Sequence, residues 1–138
     1  MEELLQRLAE LRPIFEQEPR IAAVYLFGSQ VDGYAMPWSD IDLAVLWTEP
    51  VSFATELDLG VQLSLVLGTD RIDLLNLGKA PLPLKQRVIS TGLLLYERTP
   101  EPLSNFIEET MRRYFDFCPV LETYHREFVR SLEYDYAL

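Results

Sequence analysis

At 138 residues, 49% of them apolar and 12% aromatic, the chain is long enough to bury one core without disulfides and too apolar to remain disordered. Twelve basic against 22 acidic side chains leave a formal charge of −10, which opposes non-specific binding to phosphate backbones and suits a small-molecule substrate or a basic protein partner. The single cysteine, Cys118, has no internal disulfide partner, and no Cys/His ligand cluster exists, so a reducing cytoplasm is the expected setting.

The opening segment MEELLQRLAELRP carries acids and arginines throughout and reads as neither a signal peptide nor a membrane span. Leu4, Leu5, Leu8, Leu11 and Phe15 follow helical spacing, which predicts one amphipathic helix over residues 2–18, ended by Pro19. Residues 21–27 are apolar and partly β-branched, a buried strand stopped by Gly28-Ser29. Gly33 and Pro37 make residues 30–39 a loop with room for a short helical turn. Residues 40–47 begin with alternation and become continuously apolar, as a central strand entered from a polar edge would. A helix is expected over 53–67 despite Gly60, then a strand over 71–77. A short helix follows Pro83, with Leu84, Val88 and Ile89 inward, and residues 93–96 form a fourth strand.

After Thr99-Pro100, Leu103, Phe106, Ile107, Thr110, Met111 and Tyr114 share one helical face. Pro119 is expected to break or kink that helix, and Leu121, Tyr124, Phe128 and Leu132 continue a second apolar stripe. The expected fold is therefore mixed α/β (α+β), a small mixed sheet flanked by helices, with a core over residues 1–98 and a helical extension over 99–138 packed on the same domain.

The chemistry concentrates in three places. Asp40 and Asp42, one residue apart in a strand, project to the same side and repel each other unless a cation lies between them. Hard oxygen donors of this kind suit Mg2+, which completes its shell with phosphates and water. Asp73 lies in another strand among apolar neighbours and would complete a three-carboxylate set if the two strands were adjacent; capping the turn at Thr69-Asp70 is its bland alternative. Such a set can hold a triphosphate through one metal and activate a hydroxyl through a second, with Asp73 as a ligand or a general base. Gly28-Ser29 adds a close backbone approach and a hydroxyl donor for phosphate oxygens.

Gly28-Ser29, ten intervening residues and Asp40-Ile41-Asp42 make the pattern GSx10DxD, and on it the chain resembles the polymerase-β-like nucleotidyltransferases. Phe27, Gly33, Ala35, Pro37, Ser39 and Leu43 also match that family's usual surroundings of the motif. The chain's length, the Asp73 strand and the segment 88–96 are similar to the minimal nucleotidyltransferase (MNT) antitoxins, partners of HEPN-domain toxins. The resemblance implies a nucleotidyltransferase fold in which Asp40, Asp42 and Asp73 hold Mg2+ while Gly28 and Ser29 position ATP. It further implies transfer of AMP to a tyrosine of a HEPN toxin, which blocks the toxin's ribonuclease site.

The chain departs from the family in the loop after Gly-Ser, where Gln30, Asp32 and Met36 stand at positions that are often basic and Trp38 replaces a small or polar residue. Arg71, Lys79, Lys85 and Arg87 are the candidates to supply the missing charge. His125 reads as a surface or partly packed residue, Cys118 as a small buried hydrophobe, and Tyr124, Tyr134 and Tyr136 as core or interface aromatics. Two other functions stay open: a catalytically silent antitoxin acting by contact, and a small-molecule nucleotidyltransferase of the aminoglycoside-modifying kind, for which about 40 helical residues leave little room for a substrate domain. Direct nucleic-acid binding is not expected from the acidic balance.

Overall fold

The computed structural model describes residues 2–33 and 40–136, with only some of the side chains beyond Phe117. Two short helices, α1 (Glu2–Ala9) and α2 (Arg12–Gln17), precede strand β1 (Ile21–Phe27), the single-turn helix α3 (Ser29–Asp32) and strand β2 (Ile41–Trp47). Helix α4 (Phe53–Leu67) leads to β3 (Ile72–Asn76) and a 3-10 turn over Leu77–Lys79, then α5 (Leu82–Thr91), β4 (Leu93–Glu97) and the long α6 (Pro100–Tyr136). The four strands form one mixed sheet in the order β3-β2-β1-β4, with β1 antiparallel to β2 and β4, and β2 parallel to β3.

The parallel pair follows from the connection. Leaving β2, the chain runs back through α4 before β3 begins, the usual way of laying two strands side by side in the same direction. Ser52 starts α4 by accepting a hydrogen bond from Thr55 N at 3.2 Å, and Gly68, at φ 70°, ends it in the left-handed conformation.

Alternation divides the sheet's side chains between two apolar clusters. On one face Val24, Leu26, Leu43 and Val45 pack against Leu11, Phe15, Leu59 and Leu63 from α2, α4 and their approaches. On the other, Ala23, Tyr25, Ala44 and Leu46 meet Val88 of α5 and Leu103 of α6. Arg98, just past β4, joins the end of α2 to the sheet: its guanidinium donates to the carbonyls of Phe15, Glu16, Glu18 and Ile21 at 2.7–3.3 Å. No buried side-chain polar atom among the described residues lacks a partner.

The expected strands and the helix over residues 53–67 are all present. Two helical expectations need correction. The amphipathic segment 2–18 is two helices, because Pro13 enters the first turn of a new helix rather than continuing the old one. Pro119 does not divide the last segment, since α6 runs through it, and Thr123 Oγ1 donates to the Pro119 carbonyl at 2.9 Å. The predicted face of α6 is the packed one as far as Tyr114, with Leu103 and Thr110 buried. The stripe assigned to Leu121, Tyr124, Phe128 and Leu132 lies among side chains outside the described set. Among the described residues, no helix is long and apolar enough to cross a membrane.

Gly60 lies within α4, half-buried over β3; a Cβ built there meets Leu74 Cδ1 at 3.6 Å, an ordinary contact. Gly60→Ala therefore gains helix propensity without a clash. It is expected to stabilise the chain by about 0.5–1 kcal/mol, read as a raised denaturant midpoint at unchanged slope.

Candidate active site

Strand register assembles the site. Pairing of β1 with β2 sets Phe27 opposite Asp42, and pairing of β2 with β3 sets Asp42 opposite Asp73. The two carboxylates thus project from adjacent strands on the same side as Ala44 and Leu46, the face covered by α5 and α6. The condition placed on Asp73 from sequence, that its strand be adjacent, is met. Its bland alternative loses ground, because the turn before β3 is closed by Thr69 Oγ1, which accepts from Arg71 N at 3.1 Å, while Asp70 stays exposed in that turn.

Asp40 is exposed and precedes the first residue of β2, so strand alternation fixes the direction of Asp42 but not of Asp40. Asp42 nevertheless lies within electrostatic reach of both other carboxylates. Asp42 is half-buried, and its pKa is raised first by burial and then by the charges of Asp73 and Asp40. They are neighbours rather than a closed cage: among the described residues, no three Asp, Glu, His or Cys side chains converge on one metal-ligating point.

Gly28 locks the second half of the motif to the first. Its φ is 78°, in the left-handed region, and a Cβ at that position would collide with Asp42 Oδ2. The bare backbone is what lets the strand end lie against the carboxylate. The chain then enters α3 at Ser29, with Gly28 O accepting from Val31 N and Asp32 N, both at 3.0 Å.

Beside this corner is a cavity of about 250 Å3 lined by Gly28, Ser29, Asp32 and Arg87, among others. Of the four basic candidates named from sequence, only Arg87 reaches it, and Asp32 Oδ2 holds the Arg87 guanidinium at 3.0 Å. Lys85 instead lies over the Phe106 ring at 5.7 Å, while Lys79 and Arg71 are exposed at opposite ends of β3. Asp32, which in sequence only deepens the shortage of positive charge, is the residue that orients the cation. No local signal reveals a pair formed across 55 positions. Ala35, Met36, Pro37, Trp38 and Ser39 lie outside the described residues, as do the side chains of Cys118, Tyr124, His125, Tyr134 and Tyr136.

A Gly-Ser strand end packed on a row of carboxylates, on a four-stranded mixed sheet between two helical layers, is the architecture of a nucleotidyltransferase-fold domain. The chain belongs to the polymerase beta nucleotidyltransferase family, whose pattern matches residues 9–101. The protein adenylyltransferase MntA of Shewanella oneidensis is 35% identical over 78 residues, or 56% of this chain and 55% of that one, so the match spans little more than half of that relative. A crystal structure of a toxin–antitoxin with AMP-PNP gives a TM-score of 0.71 at 25% identity, covering 89% of this chain and 98% of that one. The complex of tri-AMPylated Shewanella oneidensis HEPN toxin with MNT antitoxin gives 0.65 at 26%, covering 90% and 98%.

Two outcomes follow from the corner. Protonation of Asp42 favours the folded chain, since its folded pKa lies above the ordinary value of 3.8. That stability is fully present below 3.8 and lost as pH rises through the raised value. Asp42→Asn is therefore expected to raise the Tm by a few degrees at pH 7 in chelator, and the gain should vanish as pH falls toward 3.8. Gly28→Ala is expected to cost about 1–3 kcal/mol in chemical denaturation, and part of that loss should return in the Gly28→Ala/Asp42→Ala double variant.

Proposed function

We propose that the chain is an antitoxin enzyme that transfers AMP from ATP to a tyrosine of a cognate HEPN-domain toxin. The observation that carries this reading is the row Phe27, Asp42 and Asp73 across three strands, with Gly28 packed on Asp42 and Ser29 in the cavity of Arg87. The names of the similar proteins supply the acceptor: a protein adenylyltransferase, and an MNT antitoxin with an AMPylated HEPN toxin.

The donor set fits a hard divalent cation: oxygen ligands only, and a half-buried carboxylate whose pKa is raised by burial and then by two like charges. Asp40, Asp42 and Asp73 would hold Mg2+, which when bound offsets the triphosphate charge and makes the attacking hydroxyl more acidic. Gly28 lets the main chain lie close to the phosphates, the Ser29 hydroxyl donates to a phosphate oxygen, and Arg87, steadied by Asp32, binds another. The tyrosine oxygen bonds to the α-phosphorus as the bond to the α–β bridging oxygen breaks. Pyrophosphate departs, and the hydroxyl proton passes to the exposed Asp73 carboxylate. In this reading residues 1–98 are the catalytic unit, residues 99–138 a helical extension of the same domain, and the protein is cytoplasmic.

Incubation with ATP, Mg2+ and the HEPN protein, followed by mass measurement of both chains, tests the reading. AMP should appear on the toxin and depend on Mg2+, and Asp42→Asn should lower the rate by about 100-fold or more. Arg87→Ala should raise KM for ATP about tenfold, the effect of losing one charge-assisted hydrogen bond. Toxin neutralised by wild type and Asp42→Asn alike, without added mass, would establish the silent antitoxin instead.

A further inference from the structure

Helix α4 is apolar on two sides. Leu59, Leu63 and Leu67 are buried against the sheet, whereas Phe53, Leu57, Val61 and Leu65, also spaced by four, are 77%, 58%, 51% and 78% exposed. A stripe at i, i+4, i+8 and i+12 is one continuous surface, and the internal core does not use it. It borders a groove of about 990 Å3 that extends onto Ile72, Asp73 and Leu74 of β3. β3 is an outer strand of the sheet, so its far edge presents main-chain donors and acceptors that no strand among the described residues pairs.

Two further features select the occupant. Helix α4 carries Glu56 and Asp58 and no lysine or arginine, and Asp70 and Asp73 stand at the end of the groove. A second copy of a chain with net charge −10 would bring this acidic rim against itself, whereas a segment with apolar anchors flanked by Lys or Arg complements it. Asp73 also belongs both to the groove and to the carboxylate row, opposite Asp42. Asp73 projects to the face opposite α4, but it lies on the outer strand that the groove borders, so a segment leaving α4 reaches the carboxylates by passing over the β3 edge.

We propose that the α4–β3 groove is the docking surface for the acceptor protein, which it binds through an apolar segment flanked by basic residues and whose hydroxyl it delivers past Asp73. This rests on the AMP-transfer reading above. The surface is separate from the Gly28/Arg87 cavity, so acceptor and nucleotide approach the carboxylates from different sides.

Leu57→Lys and Leu65→Lys test the groove, because both positions are more than half exposed and tolerate a charge without unfolding. Leu94→Lys, on the opposite edge strand β4, is the control. In the full chain, with the HEPN protein as probe, each groove variant should weaken the complex and raise KM for the acceptor about tenfold or more. Tm and KM for ATP should stay at wild-type values, and wild-type affinity should fall as salt rises. Unchanged acceptor affinity in both groove variants, with wild-type transfer intact, would overturn the docking surface alone. A wild-type chain that transfers no AMP would overturn the enzymatic reading and this one with it. A groove variant that shifts the sedimentation of the chain by itself would assign the surface to a second copy and overturn the proposal.

Discussion

The contact of Gly28 with Asp42 constrains everything around it. A half-buried carboxylate can lie against a strand end only if that strand end has no side chain and turns away at once, and a glycine at φ 78° meets both conditions. The contact requires β1 and β2 to pair with Phe27 opposite Asp42, and a slip of one residue would turn Asp42 into the layer of Leu43 and Leu26. Register is thus fixed twice, by the apolar alternation of β2 and by the glycine. β3 then inherits it, so that Asp73 arrives beside Asp42.

Placing the carboxylates together costs stability. Burial and like charge raise the Asp42 pKa, so the ionised row is a local strain that the two apolar clusters must offset. Arg98, tying four carbonyls of the N-terminal layer to the end of β4, and the capped ends of α4 contribute to the frame that holds this row. Stability and chemistry are divided between the faces of the sheet. The α4 side buries Leu59, Leu63 and Leu67 in a hydrocarbon layer against the sheet, and the carboxylates project to the other side, where β1 ends and β2 and β3 begin.

Much of this was legible in the sequence because it is written in periodicity and in local chemistry. The strands over residues 21–27 and 41–47 are apolar runs with sharp boundaries, and Gly28-Ser29 and Asp42 lie at those boundaries, where a site on a sheet must lie. Helix α4 was expected despite Gly60, although its apolar residues followed no single stripe. The structure supplies the reason: two stripes, one buried and one exposed. What stayed hidden depends on distance or on competing local forces. Asp32 finds Arg87 across 55 positions, and Arg98 reaches carbonyls more than 75 positions away. The expected helix over residues 2–18 runs through Pro13 and the expected break or kink falls at Pro119, yet Pro13 opens the first turn of a second helix while α6 keeps Pro119 in its interior.

The proposal on which the rest depends is that Asp40, Asp42 and Asp73 together hold a divalent cation. Titration of Mn2+ into the full chain with a non-hydrolysable ATP analogue, followed by electron paramagnetic resonance, measures that directly. The account predicts bound Mn2+ in the wild-type chain and its loss in both Asp42→Asn and Asp73→Asn, with folding intact in each. Unchanged Mn2+ affinity in Asp73→Asn would contradict it, because the third strand would then have no part in the metal site.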